Sequence, residues 1–180
     1  MKTAKFVFAL VAALCGPVIA QDKPPVDIPL YPGGETILEI NLTNEELLPT
    51  IKASLPFLAG RSPMIDKIDP EAVAEVLKDI KRAQLVQLEV SKKTALQSLT
   101  NYYARNVPKG KWSRVFWQSL PDGGAMAIYT REDAEGIYGF RTRSAVSAGK
   151  AVTRVEVAKI DGKIDFAKLL EIGLKLSGSQ

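Results

Sequence analysis

The residues of this chain with the means to do chemistry are carboxylates, arginines and aromatics, because two other types are nearly missing. There is no histidine, and the single cysteine is Cys15. Histidine is the usual base near neutral pH and a common zinc ligand. Its absence excludes Ser-His-Asp and Cys-His hydrolysis, and His/Cys zinc sites with them. A lone thiol likewise excludes dithiol redox chemistry, iron–sulfur ligation and c-type haem attachment. No Gly-x-x-x-x-Gly-Lys-Ser/Thr or Gly-x-Gly-x-x-Gly stretch occurs, so neither phosphate-cradling loop is present. What survives is acid–base work by paired carboxylates, lysine or tyrosine bases, and oxygen-ligated calcium or magnesium.

Four groups of residues remain as candidates. Glu35 and Glu39 stand an even number of steps apart on one strand, which makes them neighbours on a strand face. Glu132, Asp133 and Glu135 cluster in a turn, but their spacing fits no calcium loop and reads as a solvated turn. Arg141 and Arg143 point the same way from one strand, and Arg131 and Arg154 on neighbouring strands extend them into a basic stripe. Such a stripe suits an anionic headgroup, a phosphate or a carboxylate; its plainer reading is a solvated face paired with Glu135 and Glu156. Aromatics gather in the same half of the chain: Trp112, Phe116, Trp117, Tyr129, Tyr138 and Phe140. They either fill a core or leave a ring exposed for a sugar, a lipid tail or a peptide. Simple alternation puts Trp112 and Phe116 on one face and Trp117 on the other. The expected site is therefore a binding surface made of Trp112, Trp117, Arg131, Arg141, Arg143 and Arg154. We expect no catalytic residue, no metal and no cofactor.

The elements that must position these residues follow from periodicity. Glu35 to Leu42 alternates as a half-buried strand. Thr43 to Glu46 matches a capping box, and Leu47, Leu48, Ile51, Leu55 and Leu58 continue at helical spacing, with Pro49 and Pro56 predicted to shorten or kink that helix. Asp69-Pro70-Glu71 opens a second helix. Arg82 to Val90 is a strand, and Ser91 is placed as the cap of a helix running to about residue 104. Four β-rich runs follow: Trp112–Leu120, Ala125–Arg131, Ile137–Arg143 and Val152–Ile160. Pro121-Asp122-Gly123-Gly124 is a hairpin turn between the first two. A last helix begins at Asp165, with Phe166, Leu169, Leu170 and Leu174 as its stripe. The order β-α-α-β-α-β-β-β-β-α predicts an α+β fold, an antiparallel sheet with helices packed on one face.

The ends are distinct. Lys2 and Lys5 precede the apolar run Phe6–Leu14, then Gly16-Pro17 and Val18-Ile19-Ala20. That is a secretory signal over residues 1–20, cut between Ala20 and Gln21. Leu14 is too large for a lipoprotein signal, so lipid anchoring at Cys15 is not expected. Residues 21–34 form a proline-rich arm, read as a loose terminus, with a spacer or partner-binding segment as the alternative. Residues 35–176 make one domain, and 177–180 a flexible tail. The formal charge of +4 falls to +2 without Lys2 and Lys5, too balanced to argue for nucleic acid. No later stretch is long enough for a transmembrane segment.

One resemblance adds to this. Asp122-Gly123-Gly124, Ala127-Ile128-Tyr129-Thr130 and the closing Ile160-Asp161-Gly162-Lys163-Ile164-Asp165, before a Leu-rich helix, are similar to a family of small exported bacterial proteins. The strand Ala83–Val90 and the helix over 92–104 fit the same pattern. The family is known as a domain of unknown function, number four-two-five-two, and the resemblance spans roughly residues 35–175. It implies an envelope location and an α+β domain, and brings no activity or site residues. The sequence thus points to an exported, periplasmic or extracellular protein that binds or interacts without catalysis, its partner an envelope protein or an apolar ligand. A carrier of lipid and a carboxylate-only enzyme acting on glycans are the alternatives.

Overall fold

The computed structural model describes residues 26–59, 70–91, 94–108, 110–163 and 165. The signal, Cys15, the start of the arm, the Asp69 cap, the expected last helix and the tail lie outside these residues. The elements are β1 (Glu35–Thr43), α1 (Asn44–Ala59), α2 (Pro70–Leu77), β2 (Ile80–Ser91), α3 (Leu96–Arg105), β3 (Trp112–Ser119), β4 (Ala125–Arg131), β5 (Gly136–Ser147) and β6 (Lys150–Gly162). The strands form one sheet in the order β1-β2-β6-β5-β4-β3, with every neighbouring pair antiparallel. The fold is α+β.

Local chemistry explains several boundaries. Glu46 closes its half of the capping box: its carboxylate accepts the Thr43 backbone N–H at 2.9 Å and sits 3.2 Å from the Thr43 hydroxyl. Asn44 donates its side-chain amide to the carbonyls of Leu77 and Ile80, tying the start of α1 to the end of α2 and the start of β2. The helix runs from Asn44 to Ala59 through both prolines, so they do not shorten it. Each proline removes one backbone bond, but Leu47 and Ile51 remain buried against the sheet and hold its first turns in place. Ser91 belongs to β2 and is not the N-cap of the helix. The helix α3 starts five residues later, with Ala95 at its N-cap and no side-chain cap bond.

The hairpin turn is built around Asp122. Its carboxylate accepts the N–H of Gly124 at 3.1 Å and, across the sheet, that of Ser144 at 2.6 Å. Burial alone raises the Asp122 pKa, but these backbone donors outweigh it and hold the carboxyl below its ordinary value. Gly124 admits no side chain, since a Cβ there would lie 2.0 Å from the Thr142 carbonyl oxygen.

The helices do not share one face, which corrects the expected layering. In β2, Leu85 and Val86 are consecutive and both buried, so this strand is covered on both sides. Leu85 joins Ile40, Leu42, Ala83 and Ala158 against Leu47 and Ile51 of α1 and Leu77 of α2. Val86 joins Leu88, Val90, Val155, Val157, Tyr138 and Phe140 against Leu99 and Tyr103 of α3. The central strands carry apolar residues at odd and even positions, and a single covered face cannot bury both sets.

The arm is a second correction. Residues 26–34 are not loose: Ile28 is buried, and Val26 and Tyr31 pack on the same core as α3. The packed body therefore starts no later than Val26, ahead of Glu35.

Candidate functional site

The strand β3 carries both tryptophans and forms one edge of the sheet, paired to β4 alone. A bulge between Arg114 and Phe116 shifts its register, and this reassigns the faces. Trp112 and Trp117 lie on the same face: their rings sit 6.3 Å from Tyr138 and 6.2 Å from Phe140. Phe116 turns to the other face, with Met126, Ile128 and Ile137. Alternation predicted the reverse, because it carries no signal for the extra residue. Trp117 remains 39 % exposed, Val115 at the bulge is 59 % exposed, and the Arg114 guanidinium lies 4.9 Å over the Trp117 ring. This is an amphipathic edge, and among the described residues no strand pairs with its outer side.

Three of the four predicted arginines do converge. Arg141 and Arg143 from β5 and Arg154 from β6 share the face opposite the tryptophans, with Arg143 directly across from Arg154. Two carboxylates pair with the three of them. Glu156 accepts from Arg143 at 3.0 Å and Gln87 at 3.2 Å and lies 3.7 Å from Arg141. Glu89 is bonded to Arg154. Hydrogen bonds from Arg154 and then Ser147 keep the Glu89 carboxyl below its ordinary pKa. What the ladder leaves over is one buried stem N–H, Nε, from each of Arg143 and Arg154.

Arg131 is not part of that stripe. It ends β4 on the tryptophan side, 2.8 Å from Asp133 and 3.8 Å from Asp161. The acidic turn is spent on such cations: Glu132 faces Lys111 at 3.7 Å and Glu135 faces Lys81 at 3.1 Å. Among the described residues, no three acidic, histidine or cysteine side chains gather to hold a metal ion.

The carboxylate pair also changes partners. A bulge between Thr36 and Leu38 sets Glu35 opposite Glu89 and Glu39 opposite Val86, on different faces. Glu35 and Glu89 are thus cross-strand neighbours, and Glu89 is held ionised by Arg154. That environment suits an ion pair and works against a proton donor.

The sequence reading missed a second polar group, inside the tryptophan-side core. Gln84, Lys159 and Tyr138 are register partners on β2, β6 and β5, forming a row across three strands. Lys159 binds Asp27 of the arm at 2.5 Å and Asp161 at 3.0 Å. Gln84 is 2 % exposed and Tyr138 0 %, and neither the Gln84 amide nor the Tyr138 hydroxyl has a partner. Burial first, with the neighbouring tyrosines Tyr103 and Tyr129, pushes the Tyr138 pKa well above its ordinary value. The available signal was a lysine and a glutamine inside otherwise apolar strands, Val155–Ile160 and Ala83–Leu88.

No protein-family model matches the chain, and no curated protein does. Among the described residues no helix is long and apolar enough to cross a membrane.

Proposed function

We propose that this chain is an exported, non-catalytic interaction module that takes up an extended segment of an envelope partner along β3; the resemblance noted above bears on the envelope location alone. The observation that carries this is the open edge of β3, which presents Trp117 and Val115 and pairs with no described strand on its outer side. Strand addition uses that combination: backbone bonds supply affinity, and alternate side chains supply selectivity. The Arg114 guanidinium gives the edge a positive character, so the favoured segment carries aliphatic or aromatic residues with an acidic neighbour. The apolar-carrier reading has less support, because Leu99, Tyr103 and Ile28 take up space between the sheet and α3.

The test is capture of the partner by cross-linking in the native envelope, with Val115→Lys and Trp117→Lys against the parent chain. Charge placed on an edge strand suppresses added pairing. We expect each variant to lose at least about tenfold of the captured partner. Unchanged capture from both variants overturns the edge as the docking site. Export is tested separately, by the mass of the chain in the envelope fraction, which should begin at Gln21.

A further inference from the structure

The arm is seated on the sheet in the manner of a bound peptide. Asp27 places its carboxylate on Lys159, a side chain only 8 % exposed. Ile28 is buried among Val86, Leu88 and Tyr103 in the α3-side core. The Tyr102 hydroxyl donates to the Leu30 carbonyl at 2.6 Å, and the Tyr31 backbone N–H donates to the Tyr103 hydroxyl at 3.1 Å. Tyr31 stands edge-on to Tyr102 at 5.1 Å. The segment then leaves through Gly33, at φ +81°, and Gly34, which lies against Leu88 and Val90. Tyrosine hydroxyls bonded to the backbone of a proline-containing segment outside helix and sheet, with one charge anchor and one apolar anchor, are how grooves recognise peptides.

The fit is incomplete at one end. Next to the Asp27–Lys159 contact, Gln84 keeps a free donor and a free acceptor and Tyr138 keeps a free hydroxyl, all buried. Unmet polar atoms at such depth are costly, and among the described residues 26–34 none supplies them a partner.

We propose that the groove between β2, β6 and α3 is a peptide-binding site, filled here by the chain's own residues 26–31, and that its ligand is an extended partner segment of the same pattern. That pattern is a carboxylate for Lys159, an aliphatic residue in the Ile28 position and proline after it. A hydrogen-bonding side chain beside the carboxylate engages Gln84 and Tyr138, which gives such a segment an advantage over the arm. The arm is then an internal competitor, displaced rather than refolded when the ligand arrives. This site is separate from the β3 edge and does not depend on it.

The probe is a fluorescein-labelled hexapeptide, Val-Asp-Ile-Pro-Leu-Tyr, followed by anisotropy with the full chain. The arm is weakened in the double variant Asp27→Ala with Ile28→Ala. We expect the peptide to bind this variant at least about tenfold more tightly than the parent, because the groove is vacated. Adding Lys159→Met, or replacing the peptide's Asp with Ala, should remove that gain. Replacing the peptide's first residue with Asn should tighten binding further, and Tyr138→Phe should erase that increment. Equal binding to parent and variant, or binding indifferent to Lys159, overturns the proposal. Should the double variant fail to fold, hydrogen exchange on the parent decides: excess peptide must speed exchange of the Tyr31 amide while β2 amides stay protected. An unchanged Tyr31 amide overturns the proposal equally.

Discussion

The two faces of the sheet handle polar groups in opposite ways. On one, Arg141, Arg143 and Arg154 meet Glu156 and Glu89 in a ladder of three cations and two carboxylates that leaves over only two buried Nε–H groups. On the other, an aromatic core of Tyr103, Tyr129, Tyr138 and Phe140 surrounds a buried lysine and two polar side chains without partners. The face that looks charged in sequence has spent its charges on itself. The face that looks apolar retains hydrogen-bonding capacity and carries the arm. Visible charge is therefore a poor guide to binding capacity here. Unmet capacity under cover is the better one.

Four predictions sharpen or break that contrast. The largest effect belongs to the aromatic face. Phe140 is fully buried and touches the rings of Tyr103, Trp117 and Tyr129, so Phe140→Ala should cost about 3–5 kcal/mol in urea denaturation. A loss below about 1 kcal/mol would mean that this core is loosely packed. On the ladder, Glu156→Ala strands the charges of Arg141 and Arg143 on a partly covered face. It should cost about 2 kcal/mol, less than full burial would give because water reaches both guanidiniums. A cost that survives 1 M salt undiminished would contradict the partly solvated picture.

The third effect has the opposite sign. Tyr138→Phe removes a buried hydroxyl that has no partner in the free chain, and should raise stability by about 1 kcal/mol. If it destabilises instead, the hydroxyl is satisfied in solution and the contrast between the faces narrows. The smallest effect is on pH dependence. Burial raises the Asp27 pKa, but the Lys159 hydrogen bond and charge outweigh it, so the folded value lies below the ordinary 3.8. A depressed carboxylate contributes stability that is full above the unfolded value. It is lost as the pH falls from near 3.8 through the folded value. Asp27→Asn should flatten the acid limb of stability against pH in that window and leave stability near pH 7 to 9 parallel to the parent. Glu89 and Asp122 are depressed in the same sense, so a residual slope must remain.

The hairpin turn after β3 and the start of α1 were legible because they depend on neighbours in sequence. Pro121 to Gly124 and the Thr43–Glu46 box specify their own geometry within four residues. The faces were less legible. Strict alternation fails at the bulges in β1 and β3, one of which separates Glu35 from Glu39 and the other of which brings Trp112 and Trp117 together. Both bulges lie on edge strands, where a partner on one side only tolerates an extra residue. Arg131 was grouped with the stripe on type alone, although it stands at an odd position of β4 and faces the other way. The arm was hidden for a different reason. Its proline content signals extension, but its docking depends on Lys159, which lies 132 residues later.

The central claim is that binding takes place on the tryptophan side and its β3 edge and not on the arginine ladder. It is tested most directly by placing a photo-cross-linking amino acid at Val115 in one chain and at Arg141 in another. Both positions are accessible, one on each side of the contrast. Irradiation in the native envelope should join a discrete partner to position 115 and none to position 141. A partner joined at 141 with nothing at 115 would contradict the account and return the function to the ladder.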